Sequence, residues 1–473
     1  MSKQPTRREL IRLSSAGAAG LVAARTARAG AGLPTGEIRV RLTAGNQRWA
    51  EEPPLAWGPA RGSSVSAIVV DPGKTYQEVL GFGAALTDAA CYVLGRLAPE
   101  ERAQLFREFF HPSEAGFNVG RICVGASDYA RELYSYDEGE EDPDLRRFSI
   151  DHDRDFAIPM LLETRRVNPD LFLLASPWSP PGWMKANGSM LGGSMRKKSY
   201  AVYALYVAKF LGAYREAGVP VNALSVQNET DTDQDGRMPA CLWGQEYEME
   251  FVSGHLGPLF RQRGIDTKIW IVDHNYTLWG RAICELDDPN VNQFVDAVAW
   301  HGYAGDVSAM TRVHNAHPEK HMHWTEGGPG YTDPRYQSDW TSWSSNFTGI
   351  LRNWARSIIA WNLALDESGK PNIGPFDCGG VVTIDSKTGK ITRSGQYWAP
   401  AHFSRAIRRG ARRVASSGEA EKVSHVAFRN PDGSSVLVVT NSGAARKVLV
   451  RVEGSQAEAA LPEDSVATLT WRS

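Results

Sequence analysis

At 473 residues, 42% of them hydrophobic and 22% charged, the chain is long enough for one large domain and an accessory one. Its 52 Lys and Arg face 54 Asp and Glu, a formal net charge of −2, so no basic surplus makes nucleic acid or an anionic membrane the main partner. No apolar run has the length of a membrane span, which excludes an integral membrane segment from the expected fold. Fifteen tryptophans and fifteen tyrosines suit sugar-ring stacking, but core packing comes first as the account of most of them.

The first 29 residues read as a targeting signal. Thr6-Arg7-Arg8-Glu9-Leu10-Ile11-Arg12 carries a twin arginine, Leu13 to Ala24 is small and apolar, and Ala27-Arg28-Ala29 is an A-x-A cleavage pattern. A frayed basic terminus is the plainer alternative, but it does not explain three features in this order. The expectation is twin-arginine export to the periplasm or medium of a bacterium, with cleavage after Ala29. Residues 1–29 carry six cations (Lys3, Arg7, Arg8, Arg12, Arg25, Arg28) against Glu9, a net of +5, so their removal takes the chain from −2 to −7.

Glu37–Leu42 and Ser64–Val70 read as strands, separated by a Pro/Gly-rich stretch around Pro53–Gly62. From about residue 79 the pattern becomes strand, loop, helix, repeated. The apolar runs are Val79–Ala84, Val119–Val124, Leu171–Ala175, Ala223–Val226, Lys268–Val272, Ala297–Trp300, Met322–Trp324 and Ile358–Trp361. Helical spacing is clearest over Ser199–Gly218, where Val202, Leu205, Tyr206, Phe210 and Tyr214 share a face and Gly218 is the stop; Pro99–Phe110 and Glu246–Arg263 are similar. Eight buried strands alternating with helices predict an α/β fold, a parallel (β/α)₈ TIM barrel. An open doubly wound sheet competes, but Gly81-Phe82-Gly83 runs on into Ala84-Ala85-Leu86, which fails the G-x-G-x-x-G pattern of a nucleotide-binding sheet.

Past about residue 410 the period shortens. Val423–Arg429, the turn Asn430-Pro431-Asp432-Gly433, Ser435–Asn441, Lys447–Val452 and Ser465–Trp471 predict an antiparallel meander. The N-terminal strands have no sheet of their own, so they are expected to complete this accessory β-sandwich. The expected division is 1–29 signal, 30–78 N-terminal strands, 79–410 barrel and 411–473 C-terminal sandwich. No low-complexity linker intervenes, so the two parts should be packed rather than tethered.

Reactive residues of a barrel sit at the C-terminal ends of its strands. Ser225-Val226-Gln227-Asn228-Glu229 ends the fourth predicted strand, and His323-Trp324-Thr325-Glu326-Gly327-Gly328 ends the seventh. Either glutamate alone would more often be a solvated loop charge or a buried ion-pair partner. As a pair across a barrel mouth they have the chemistry of glycosidic cleavage, which needs one protonated carboxyl and one ionised one.

Collinear motifs then make the match specific: Gly81-Phe82-Gly83-Ala84-Ala85-Leu86-Thr87-Asp88-Ala89-Ala90, Ser176-Pro177-Trp178-Ser179-Pro180-Pro181-Gly182-Trp183-Met184-Lys185, Gln227-Asn228-Glu229, His301-Gly302-Tyr303, Thr325-Glu326-Gly327 and Trp361-Asn362-Leu363-Ala364-Leu365. The chain resembles glycoside hydrolase family 30, the group that includes lysosomal glucosylceramidase, within the clan of (β/α)₈ retaining β-glycosidases. That resemblance implies Glu229 as general acid/base, Glu326 as nucleophile, and Asn228 on the sugar 2-hydroxyl. It also implies Asp88, Trp178 and Trp361 on the outer hydroxyls and Tyr303 on the nucleophile. Core packing is the alternative for Trp178 and Trp361, and a helix N-cap for Asp88.

The family's lead implication is an exo-acting β-glucosidase of glucosylceramidase type, on a β-linked glycoside or oligosaccharide, with no metal or organic cofactor. Endo-β-1,6-glucanase, β-xylosidase and β-fucosidase activities are the alternatives within the family, and a non-catalytic carbohydrate-binding barrel is the alternative outside it. Gly302, Gly327-Gly328 and Gly374-Pro375-Phe376-Asp377-Cys378-Gly379-Gly380 depart from the lysosomal enzyme, which puts ceramide specificity in doubt and suggests a wider or differently shaped leaving-group side.

Other signals are weaker. Asp231-Thr232-Asp233-Gln234-Asp235-Gly236 begins like an EF-hand loop, but Leu242 stands where its bidentate glutamate should be, so it reads as a polar loop shaping the mouth. His314, His317, His321 and His323 match no zinc spacing and are expected to be non-ligands. The five cysteines (Cys91, Cys123, Cys241, Cys284, Cys378) show no CxxC and default to free, buried thiols. N-x-S/T sequons fall at Asn187, Asn228, Asn275 and Asn346; a glycan on Asn228 would obstruct the proposed site, which suits a bacterial protein better.

Overall fold

In the computed structural model, which describes residues 34–62 and 67–472, strands at Gly81–Ala85, Val119–Val124, Phe172–Pro177, Ala223–Ser225, Lys268–Asn275, Val295–His301, His321–Glu326 and Ala355–Ala360 pair in parallel. The eighth returns to the first, with Ser357 opposite Gly81 and Ile359 opposite Gly83, so the sheet closes into a barrel. Each expected barrel strand is present, shifted at its ends by a few residues. The signal of residues 1–29 lies outside the described residues, as do Ser64–Ser66 of the second expected N-terminal strand.

Alternate residues of the strands face the barrel axis and fill it in layers. Val119, Leu174, Ala223, Trp270, Ala297 and Ile359 make an apolar plug, with the Trp270 ring stacked 4.1 Å from His323. Two residues further along, the same strands bring in Arg121, Ser176 and Ser225, so the next layer is polar and fully buried. The site stands on that layer. Outside the barrel, helix Pro99–Phe110 starts on a proline that spends no hydrogen bond at its first position, and it buries Leu105, Phe106, Phe109 and Phe110. Helix Tyr200–Glu216 buries Tyr203, Tyr206, Phe210 and Tyr214, and Gly218 follows in the left-handed region (φ 86°).

The helix expected over Glu246–Arg263 is interrupted. A π-turn at Val252–Leu256 separates Gln245–Phe251 from Gly257–Arg263. Gly257 N–H donates five residues back to Val252 O, and Pro258, which has no N–H to give, falls in the first turn of the second piece, where none is needed.

N- and C-terminal strands form one sheet of ten, in the order 47–56, 35–44, 465–472, 434–441, 423–429, 412–417, 67–78, 446–452, 455–461, 58–59. Neighbours run antiparallel except Ala67–Glu78 and Arg446–Val452, which are parallel. Ile38, Leu42, Val70, Leu437, Val450, Leu461 and Leu469 share its core, and Trp57 meets Trp471 edge-on at 5.7 Å. The stretch read as Pro/Gly-rich contains a strand, Gln47–Ala56, that passes through Pro53 and Pro54. It is an edge strand bonded on one side, and its pairing skips both prolines at a bulge between Ile38↔Leu55 and Val40↔Glu52, so neither missing N–H costs a ladder bond.

Barrel and sheet are packed together through buried polar contacts. Trp340 Nε1 donates to Asp464 O at 2.8 Å, and Ser344 and Thr440 hydroxyls meet at 2.7 Å. His402, pushed down to about 3 by burial, lies between the hydroxyls of Thr43 (2.8 Å) and Thr468 (2.9 Å) as a neutral ring with one donor and one acceptor. Among the described residues no helix is long and apolar enough to cross a membrane, and all five cysteines are free, Cys284 on the surface rather than buried.

Candidate active site

A cavity of about 480 Å³ opens at the C-terminal ends of the strands, lined on its floor and walls by Asp128, Trp178, Asn228, Glu229, Glu326 and Trp361. Its foundation is the buried polar layer. Asp273 Oδ2 accepts from Arg121 Nη2 (2.8 Å), Ser176 Oγ (2.8 Å) and Ser225 Oγ (2.5 Å). Its Oδ1 accepts from Thr325 Oγ1 at 2.6 Å and lies 3.1 Å from His301 Nε2. Burial alone would raise this carboxyl, but Arg121 and His301 hold it well below the usual carboxylate range. Burial likewise opposes the charge on Arg121, and Asp273 and Glu326 more than restore it.

From that base Arg121 reaches three groups of the site. Nη1 donates to Glu326 Oε2 in a close ion pair, Nη2 donates to Asn228 Oδ1 at 2.7 Å, and the guanidinium lies 4.7 Å from the Trp178 ring centre. Arginine has only donors, so the amide oxygen of Asn228 must face it, and the Asn228 NH₂ is left for the cavity. Tyr303 donates its hydroxyl to Glu326 Oε1 at 3.1 Å, so both oxygens of Glu326 are held. Trp178 and Trp361 stack at 5.2 Å, each almost wholly buried, and they serve as both core and cavity wall.

Glu229 is held differently. Its own backbone is left-handed (φ 55°), and its N–H donates to Asp273 O at 3.0 Å. That carbonyl belongs to a bulge: Val272 (φ 71°) and Asp273 (φ 44°) are both left-handed, and the strand register skips Asp273 between Ala299↔Val272 and Trp300↔His274. Left-handed backbone at a β-branched valine is an outlier that persists only where surrounding bonds impose it. The bulge turns His274 toward Glu229: Nε2 lies 3.2 Å from Glu229 Oε1, and Nδ1 is in close contact with Asp231 Oδ1. His301 Nδ1 lies 3.4 Å from the same Oε1, and Gln234 Nε2 donates to Oε2 at 2.6 Å. Burial would raise Glu229, but His274 and His301 bring it below the usual carboxylate range. Burial would lower His274, but Asp231 and Glu229 raise it to about 10, and His301 is raised as well.

The two glutamates expected to work together do meet: Glu229, His301 and Glu326 each place an atom within 4.8 Å of the others. Those three atoms could serve as metal ligands, but Arg121 already pairs with Glu326, and the imidazoles of His274 and His301, whose charged forms the surrounding carboxylates favour, flank Glu229, an environment that disfavours a cation.

Asn228, Trp178, Trp361 and Tyr303 also line the cavity, as expected. Asp88 does not reach it. Its carboxylate is taken up by Arg131 (3.2 Å) and His152 (3.1 Å), and Thr87 rather than Asp88 caps the following helix. The carboxyl that faces the cavity is Asp128, just past the second strand. Its Oδ1 is buried with no hydrogen-bond partner among the described residues, and burial, with Glu326 and Glu229 nearby, pushes it well above the usual range.

Gly302 and Gly327 do not widen the site. A Cβ at either would come within 2.9 Å or 2.3 Å of the Trp324 indole, so these glycines make room for a buried tryptophan. Phe376, Asp377 and Cys378 of the departing loop do stand at the mouth, as do Thr232 and Gln234 of the polar loop. The histidines at 314, 317, 321 and 323 form no candidate metal group among the described residues.

A family model described as "Glycosyl hydrolase family 30 TIM-barrel domain" matches residues 79–407, and "Glycosyl hydrolase family 30 beta sandwich domain" matches residues 410–469. The chain is 32% identical to "Endo-1,6-beta-D-glucanase" of Neurospora crassa over 85% of this chain and 86% of that one. It is 29% identical to "Putative glucosylceramidase 2" of Caenorhabditis elegans over 79% and 76% of the two chains. Among solved structures, an endo-beta1,6-glucanase superposes with a TM-score of 0.84 at 27% identity, covering 93% of this chain and all (100%) of that one.

Proposed function

The chain belongs to glycosyl hydrolase family 30 and is a glycoside hydrolase, and on that premise we propose that it is a retaining β-glucosidase that cleaves β-1,6-linked glucan. The observation that carries the mechanism is the approach of Glu229 and Glu326 oxygens to within 4.8 Å. Retention needs carboxyls about 5–5.5 Å apart, whereas inversion needs about 6.5–9.5 Å to admit a water.

Glu326, ionised beside Arg121, attacks the anomeric carbon as Glu229 gives a proton to the departing oxygen; the C1–O bond breaks and a C1–Glu326 ester forms. Glu229 then takes a proton from water, whose oxygen replaces Glu326 at C1 and frees a sugar of unchanged anomeric configuration. The cationic rings beside Glu229 stabilise the ionised form that the second step uses, and carboxylate and rings together keep a proton at hand for the first. The free NH₂ of Asn228 donates to the 2-hydroxyl, and Asp128 holds outer hydroxyls over the Trp178–Trp361 wall.

The β-1,6-glucan reading is supported by the names of the glucanase relatives. Likeness to a putative glucosylceramidase supports the second reading, a glucosylceramidase-type exo-β-glucosidase. Incubation with β-1,6-glucan, glucosylceramide and aryl β-glucosides, xylosides and fucosides separates them. The expected result is fastest turnover of the glucan, with the β-anomer as first product by NMR; an α-anomer first product contradicts the mechanism. Export by the twin-arginine route is a further proposal, tested by sequencing the N-terminus of protein recovered outside the cytoplasm, expected at Gly30.

A further inference from the structure

Glu229 has two oxygens with different commitments. Oε1 is taken by His274 Nε2 at 3.2 Å and His301 Nδ1 at 3.4 Å. Oε2 receives one donor, the Gln234 amide at 2.6 Å. The oxygen able to deliver a proton to a glycosidic bond is therefore Oε2, and the Gln234 side chain stands within one hydrogen bond of where that bond must come.

We propose that Gln234 is a specificity-determining ligand for the leaving group, and that the 231–236 loop presents it to a hydroxylated one, a further sugar unit rather than a lipid. The proposal deepens the reading of Glu229 as acid/base and rests on it.

An amide offers two donors and an acceptor. When a glycosidic oxygen takes over Glu229 Oε2, the displaced amide still lies beside the departing unit and can exchange its bond to Glu229 for bonds to that unit's hydroxyls. A plain alkyl chain would leave the amide with no partner in a cavity wall, which is the costly case, and a ceramide offers one hydroxyl and one amide where a sugar unit offers several hydroxyls. The loop holds Gln234 there by its own bonds. Gln234 and Asp235 are both left-handed (φ 53° and 52°), Gln234 N–H donates to Thr232 Oγ1 at 3.1 Å, and Asp231 anchors the loop on His274. Thr232, His274 and Asn275 continue the polar wall around Gln234, while Asp128, Trp178 and Trp361 line the part of the cavity assigned to the sugar that is attacked.

The test compares two substrates whose leaving alcohols have similar acidity, gentio-oligosaccharides and n-hexyl β-D-glucoside. One has hydroxyls for Gln234 to meet; the other has none. In the full chain, Q234L should lower kcat/KM on the gentio-oligosaccharides about tenfold more than on the hexyl glucoside, the effect of one or two lost neutral hydrogen bonds. Q234A, which removes the same amide with less demand on packing, should follow it. Equal losses on both substrates would mean that Gln234 only tunes Glu229, and no loss on either would mean that it contacts nothing in the reaction; each overturns the proposal. The acid/base reading is checked apart from it with E229A on 2,4-dinitrophenyl and hexyl glucosides. A loss much larger on the hexyl glucoside supports that reading, and equal losses overturn it and the Gln234 proposal with it.

Discussion

Glu326 ends the strand His321–Glu326 with no left-handed backbone and receives Arg121 and Tyr303 on its two oxygens, whereas Glu229, within 4.8 Å of it, sits in left-handed backbone between two histidines and a loop glutamine. The partners of Glu326 cannot change charge near neutral pH, because arginine titrates far above it and the phenol hydrogen-bonds as a neutral donor. Those of Glu229 are imidazoles, which carry a proton beside the carboxylate, and an amide on a loop, which can swing away. A nucleophile has to be in one place and one ionisation state. An acid/base has to change state twice per turnover, and its surroundings are built to allow it.

The sharpest way to break this contrast is to neutralise each glutamate in turn. E326Q should lower turnover of every substrate by at least about 10⁴-fold, because no other group can form the glycosyl ester. E229Q should cost about 10²–10⁴-fold on glucan and far less on a dinitrophenyl glucoside, whose leaving group needs no proton. Steady-state kinetics on both substrates check this; equal profiles for the two variants would erase the distinction.

Removing the common support should damage both sides. Arg121→Met leaves the buried Asp273 with His301 as its remaining ion-pair partner, and breaking such a pair costs about 3–5 kcal/mol, visible as a large drop in the denaturation midpoint. A variant as stable as the parent would show that Asp273 is satisfied by His301 and its hydroxyl donors without the arginine.

A smaller effect distinguishes the two aspartates. Asp128→Ala should lower kcat/KM about tenfold to a hundredfold through lost sugar hydroxyl bonds, while Asp88→Asn should appear as about 1–3 kcal/mol of stability lost with its Arg131 and His152 contacts. The reverse pattern would restore Asp88 to the sugar site.

The smallest effect is on pH dependence. His274 is raised to about 10, from an ordinary value of about 6.5, so its ion pairs stabilise the fold in full below pH of about 6.5, and that contribution is lost as pH climbs to about 10. His274→Asn should therefore flatten the decline of stability across that window in denaturation at several pH values. An unchanged slope would mean that the ring is neutral in the folded protein.

Much of this was legible in the sequence. The barrel follows from eight apolar runs, and Glu229 and Glu326 from their places at strand ends. Arg121 and Asp273 left a signal too, charges inside or at the end of buried strands, which demand partners; the run Val119–Val124 was read for its strand and not for that demand. Asp128 follows a strand end and meets the same criterion as the glutamates, whereas Asp88 rests on the resemblance alone and pairs with Arg131 and His152, outside the residues that line the cavity. His274 and Gln234 left none. Their places depend on a one-residue bulge and on left-handed turns at non-glycine residues, which are set by tertiary bonds and not by local propensity. The edge strand through Pro53 and Pro54 is hidden for a related reason, since its place at the sheet margin and a bulge at the two prolines together make them harmless.

The division of labour between the two glutamates is tested most directly by trapping the intermediate. A 2-deoxy-2-fluoro-β-glucoside with a good leaving group slows the second step more than the first, so the glycosyl enzyme accumulates for peptide mass spectrometry. The account predicts one label per chain, on the peptide containing Thr325-Glu326-Gly327 and on Glu326 itself. A label on Glu229, or on any other residue, would contradict it.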